Sequence, residues 1–150
     1  MRTLDNLIYN ALRANEALMQ ATAGRIKDVC YEVSPEQDDN VPLPYIVVTD
    51  DGGDSQPETK DTMWYSNEEA ATVSVIISAK SPNEVKSLRR LCRRAIADYM
   101  ASDAVTNDEL PDLTGIRREG LQWDWMKPCY WDALHYQCTQ RIDDDEPLND

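Results

Sequence analysis

One histidine, His135, and no paired cysteines leave this chain of 150 residues little with which to build a reactive centre. Nucleophilic catalysis needs a histidine beside a nucleophile and an orienting acid, and His135 sits inside a strand-like stretch rather than on a loop. The four cysteines, Cys30, Cys92, Cys129 and Cys138, are scattered without a CxxC pair. Zinc spacing is therefore missing, and free thiols in a reducing compartment are expected. Phosphate-cradling loops of the GxGxxG or GxxxxGKS/T kind are also missing, and Gly52-Gly53 is flanked by acids that would repel a phosphate. Asp143-Asp144-Asp145 is dense in carboxylates but lacks the spaced loop of a calcium-binding hand. No apolar run approaches the roughly 20 residues of a membrane-spanning helix, and Met1 to Asp5 lacks the apolar core of a signal peptide. These absences lead to the expectation of an intracellular, non-enzymatic protein with no metal and no cofactor. Positive charge is scarce as well: 15 Lys and Arg face 28 Asp and Glu, a net charge of −13. That balance argues against gripping nucleic acid through a broad basic surface. It fits plain solubility, a cationic partner, or a surface past which DNA must slide without sticking.

What the chain does contain is a strand feeding directly into an amphipathic helix, from Ala71 to Met100. Val73, Val75, Ile77 and Ala79 alternate with Thr72, Ser74 and Ser78, the period of a half-buried strand. Ser81-Pro82-Asn83-Glu84 then reads as a helix start, with a capping serine, proline at the first helical position and glutamate completing a capping box. Val85, Leu88, Leu91, Cys92, Ala95, Ile96 and Tyr99 share one helix face, while Lys86, Arg89, Arg90, Arg93 and Arg94 fall opposite. Cys92 on the apolar face behaves as a small hydrophobe.

The remaining elements follow in chain order. Thr3 is placed to cap a helix over Leu4 to Gln20, and Ala23-Gly24 ends it. A strand is expected over Ile26 to Val33, then a polar loop closed by two prolines, then an almost wholly apolar strand, Tyr45 to Thr49. Asp50 to Glu69 is strongly acidic and reads as a mobile hairpin arm, interrupted by Met63, Trp64 and Tyr65. After an acidic connector, Ser102 to Thr114, strands are expected over Ile116 to Trp125 and Trp131 to Ile142. The expected fold class is α+β: a mainly antiparallel sheet of about five strands with two helices packed on one face and the other face open to a partner. One domain, residues 1–142, carries the arm at 50–69, and an acidic tail covers 143–150.

Like charges this close on the central helix repel one another, which makes an acidic partner attractive. In a chain this acidic, that partner is expected to be another copy. The candidate subunit interface is Lys86, Arg89, Arg90, Arg93 and Arg94 against Asp50, Asp51, Asp54, Glu58, Asp61, Trp64 and Tyr65 of a neighbour. A DNA contact at the stripe competes with this reading. The aromatic cluster Trp123, Trp125, Tyr130 and Trp131 reads first as core of the closing hairpin and alternatively as an exposed interface anchor.

In order and landmarks the chain resembles the small tail-terminator and tail-completion (head–tail joining) proteins of long-tailed bacteriophages. The landmarks are the helix Leu4–Gln20, the strand after Gly24-Arg25-Ile26, the extended Pro44-Tyr45-Ile46-Val47-Val48 and a variable hairpin. Strand Val73–Ala79, the Ser81-Pro82-Asn83-Glu84 helix start and a closing hairpin ending in Tyr136–Arg141 complete them. The resemblance implies a virion structural protein, assembled in the host cytoplasm as a homo-oligomeric, usually hexameric, ring at the head-proximal end of the tail. Such a ring caps the tail tube protein, joins the head–tail connector or neck proteins and lets DNA pass its lumen without specific binding; no membrane is involved. An acidic adaptor or DNA-mimicking inhibitor of a basic host protein is the alternative, and an enzyme built on His135 and nearby acids is a third.

Overall fold

The structure, a computed structural model, describes residues 3–28, 42–53 and 68–141. Helix α1 (Leu4–Arg13) and helix α2 (Glu16–Ala21) precede strands β1 (Ile26–Asp28), β2 (Tyr45–Gly52) and β3 (Glu68–Ala79). Helix α3 (Pro82–Met100) follows, then a short 3-10 turn (Asn107–Glu109) and strands β4 (Asp112–Arg118), β5 (Gln122–Asp124) and β6 (Cys129–Arg141). The six strands form one sheet in the order β1-β2-β3-β6-β4, with β5 also paired to β6. β1 runs parallel to β2 and every other pairing is antiparallel. The α+β class is as expected, with six strands rather than about five.

Alternation on β3 sends Val73, Val75 and Ile77 toward the helices, in register with β6 so that Leu134, Tyr136 and Cys138 share that face. Ile8 and Leu12 of α1, Leu18 of α2, and Val85, Leu88, Cys92 and Ile96 of α3 close the core over it. Each fully buried aliphatic side chain here stabilises the fold by about 1.5–3 kcal/mol relative to exposure. At the start of α3 the Ser81 hydroxyl accepts the Glu84 amide at 3.2 Å, with Pro82 at the first helical position.

Four expectations change. The first helix is two: Asn15 caps α2 by accepting the Leu18 amide at 3.0 Å, so the chain turns at Ala14-Asn15 while the apolar arc continues across the break. Thr3 makes no capping bond; its hydroxyl turns to Asp5, and the Leu4 amide donates instead to Gln140 Oε1 at 3.1 Å. The tract Ile116 to Trp125 splits into β4 and β5 because Gly120, at φ +106°, turns its amide onto the Asp132 carboxylate at 2.9 Å. Finally, the second sheet face is only partly open: Tyr45, Val47, Ser74, Ser78 and Ala133 on it are buried, while Thr49, Ile76, Trp131 and His135 keep some exposure. Part of its cover is the β5–β6 turn, whose Lys127 ammonium lies 4.5 Å from the Tyr45 ring centroid.

Expectations for Asp54, Glu58, Asp61, Trp64, Tyr65, Cys30 and the tail at 143–150 lie outside the described residues, as does the stretch of the first strand after Asp28. The two ends of the acidic arm are inside the sheet. Asp50 pairs with Val73 and Gly52 with Thr72, so β2 and β3 form an antiparallel hairpin. Gly53 is required at its neck, since a Cβ there would sit 1.5 Å from the Ala70 carbonyl oxygen.

Candidate assembly surface

Five cations alternate with apolar positions along α3, but the fold does not leave all of them free. Lys86, Arg90, Arg93 and Arg94 are exposed. Arg89 is not: its side chain is 15% exposed and its guanidinium lies 3.0 Å from Asp132 Oδ2. Placing Arg89 on the solvent stripe is thus corrected. The cause is Asp132 on β6, in phase with Leu134 and Tyr136 and only 1% exposed. A buried carboxylate needs compensation, and it receives Arg89, Arg118 Nε at 3.1 Å and the Gly120 amide. One carboxylate therefore fixes α3, β4 and the β4–β5 corner to β6.

The acidic candidates also divide. Asp50 and Asp51 are exposed at the end of β2, where Asp50 accepts the Gly52 amide at 2.9 Å. Charges from Glu69, Asp112 and Asp50 converge on Cys138, whose thiol is pushed up from 9.0 to about 11, first by burial and then by those carboxylates. One end of the sheet is thus acidic, while the basic face lies on α3. Among the described residues of one chain, Asp50 and Asp51 make no ion pair with the cations of α3.

Asp51 has a second engagement. Its Oδ2 accepts the Ser74 hydroxyl proton, while Ser74 Oγ lies 2.6 Å from His135 Nδ1, and His135 Nε2 lies 2.8 Å from Glu119 Oε2. Ser, His and Glu in contact suggest a nucleophilic triad, but the serine proton has a second claimant. Ser74 Oγ donates to the Asp51 carboxylate, which competes with His135 for the one proton that a nucleophile must give to the histidine. Ser74 is moreover buried in the middle strand of the β1-β2-β3-β6-β4 path, next to β6. The cluster reads as a satisfied polar patch tying β2, β3 and β6 together. The sequence placed His135 mid-strand; cross-strand register, Ser74 opposite His135, supplies its partner. Among the described residues, no group of three or more His, Cys, Asp or Glu converges as metal ligands. Among them, too, no helix is long and apolar enough to cross a membrane.

Two apolar features complete the surface. Between the end of α3 and β4 lies a groove lined by Ile96, Met100, Leu110, Leu113, Ile116 and Tyr136, with Leu4 and Arg93 at its margins. Leu110, Leu113 and Ile116 are exposed there. The Tyr136 hydroxyl is buried without a hydrogen-bond partner among the described residues; its pKa is pushed up from 10.0 to about 12, mainly by burial, with Cys92 adding to the rise and Arg93 opposing it. At the β5–β6 turn, Trp123 contacts Tyr130 edge-on at 4.7 Å between centroids and Trp125 at 5.9 Å. Trp125 is 84% exposed and Met126 is 92% exposed. The core reading of the cluster therefore fails for Trp125, because β5 ends at Asp124 and the side chain falls in the turn, and for Trp123, which is exposed on β5. Pro128 and Asp124 were the available signals: Asp124 Oδ1 accepts the Met126 amide at 2.9 Å, a turn-forming bond.

No family model matches the sequence, and no curated protein does. Among solved structures the chain is similar to one in "Virion of native gene transfer agent (GTA) particle", with a TM-score of 0.52 and 15% identity, over 91% of this chain and 92% of that chain. At this identity the likeness is one of fold, and it runs through nearly the whole of both chains.

Proposed function

We propose that this chain is a structural subunit of a phage-like particle, a tail-terminator-like protein that forms a ring at the head-proximal end of a tail. The observation that carries the reading is the fold shared, almost end to end, with a chain of a gene transfer agent virion. The same order of elements underlies the sequence resemblance to tail terminators, which supports the finer role. In this reading the ring, six-membered by that resemblance, caps the tail tube, ends its growth and offers a surface to the head connector. Its work is done by surfaces and not by a reaction. A net charge of −13 suits a lumen that DNA must traverse, because a basic lumen would hold phosphates by counterion release. Lys86, Arg90 and Arg94 of one copy would face Asp50, Asp51 and the acidic arm of the next, with residues 1–142 acting as one domain.

Particles assembled with and without the chain provide the test. Without it, tails of uncontrolled length and heads that fail to join are expected, together with labelling of the tagged chain at the neck of complete particles. Normal particles lacking the chain would remove the role. The acidic charge equally favours an adaptor that binds a basic protein; a chain that stays monomeric and captures such a protein, with no place in the particle, would favour that reading.

A further inference from the structure

The groove beside β4 and the turn between β5 and β6 match in size, apolar character and charge. The groove is a cavity of about 350 Å³, roughly a dozen water volumes at ~30 Å³ each, room for an indole and a thioether. Its lining is almost entirely apolar, and the one buried hydroxyl in it, Tyr136, has no partner among the described residues. Exposed Arg93 also lines the groove. At the turn, Trp125 and Met126 project into solvent next to Asp124. They offer a flat apolar ring with one N–H donor, an adaptable thioether and a negative charge.

The two features cannot meet within one chain. β5 is held to β6 by Gln122 opposite Trp131 and Asp124 opposite Cys129, which pins the turn at the start of β6. Tyr136 lies about 20 Å further along that strand, at ~3.3 Å per residue. The geometry points to a head-to-tail contact between copies, in which Trp125 and Met126 of one chain enter the β4 groove of the next. Asp124 of the first then approaches Arg93 of the second. Each added copy leaves one turn and one groove free, so the contact propagates until its rotation closes a ring. The inference rests on the ring reading for that closure and names the contact that would build it.

Sedimentation of the full chain over a concentration series tests it. Wild type is expected to associate, and Trp125→Ala combined with Met126→Ser to weaken association at least about 30-fold. Ile116→Glu in the groove is expected to do the same, with circular dichroism and melting temperature unchanged in both. Leu113→Glu, at an exposed groove position, takes its place if Ile116→Glu unfolds. Mixing the turn variant with the groove variant should yield one-to-one dimers and nothing larger, since one keeps an intact groove and the other an intact turn. A turn variant that assembles like wild type overturns the contact and leaves the ring reading to other surfaces. A mixture that stays monomeric also overturns it, and assigns the groove to a different protein. Wild type that is monomeric at all concentrations overturns both.

Discussion

Replacing Asp132 with alanine removes the only described carboxylate that reaches Arg89, Arg118 and the Gly120 amide together. The magnitude depends on what is left behind. Arg89 is 15% exposed and would keep a largely desolvated charge with no counter-ion, a situation that costs about 3–5 kcal/mol. Arg118 is 52% exposed and returns to water, so its share is under about 1 kcal/mol. Asp132→Ala should therefore destabilise by about 3–5 kcal/mol, whereas Arg118→Ala alone should lie below about 1 kcal/mol. Urea unfolding followed by tryptophan fluorescence measures both. With a slope of about 1–3 kcal/mol per molar urea, the Asp132 variant's midpoint should fall by at least about 1 M at an unchanged slope. Arg89→Met isolates the buried pair, and combining it with Asp132→Leu should recover much of the loss, because apolar replacement of both partners removes the uncompensated charge. An Asp132→Ala midpoint within about 0.3 M of wild type would refute the reasoning, and would return Arg89 to the pool of cations available to a partner.

Three further outcomes can be checked. Arg90→Glu with Arg94→Glu should lower self-association measured by sedimentation while leaving the melting temperature within a few degrees, since both side chains are exposed; unchanged association would take them out of the interface. Cys138 keeps its proton to about pH 11 in the fold, while an unfolded thiol loses it near 9.0, so stability should fall as pH rises between those values. Burial raises the Cys92 thiol as well, with the same sign. In Cys138→Ala the fall in urea midpoint between pH 9 and 11 should be shallower, and an identical slope would deny the buried thiol its part. Gln140→Ala removes the acceptor of the Leu4 amide and should cost about 1 kcal/mol, with amide exchange at Leu4 accelerated; unaltered exchange there would show that the amide has another partner.

The β3–α3 unit was legible because its signals are local: alternation, then Ser81 and Pro82, then one apolar face. The break at Asn15 was not, because the apolar arc runs through it and only the side-chain bond to Leu18 distinguishes a cap from a mid-helix asparagine. The role of Gln140 could not be read at all, since its partner lies at the other end of the chain. Asp132 was within reach. Its position in phase with Leu134 and Tyr136 marks an inward carboxylate that demands a cation, and α3 offers several. The register that sets Ser74 opposite His135 required the sheet itself. So did Trp125, whose exposure depends on where β5 stops. Among the candidate interface charges, sequence marked the cations of α3, and the fold separated Arg89, held by Asp132, from Lys86, Arg90, Arg93 and Arg94, which face outward.

β4 closes the described sheet on one side, and its register slips between Leu113 and Gly115 before Arg117 and Arg118. A straight, neutral border there would template strand after strand of neighbouring molecules into insoluble fibres. The slip and the paired arginines spoil that template. Copies crowded together are then steered toward docking through side chains, which fixes an angle between neighbours, and away from open-ended backbone stacking, which fixes none.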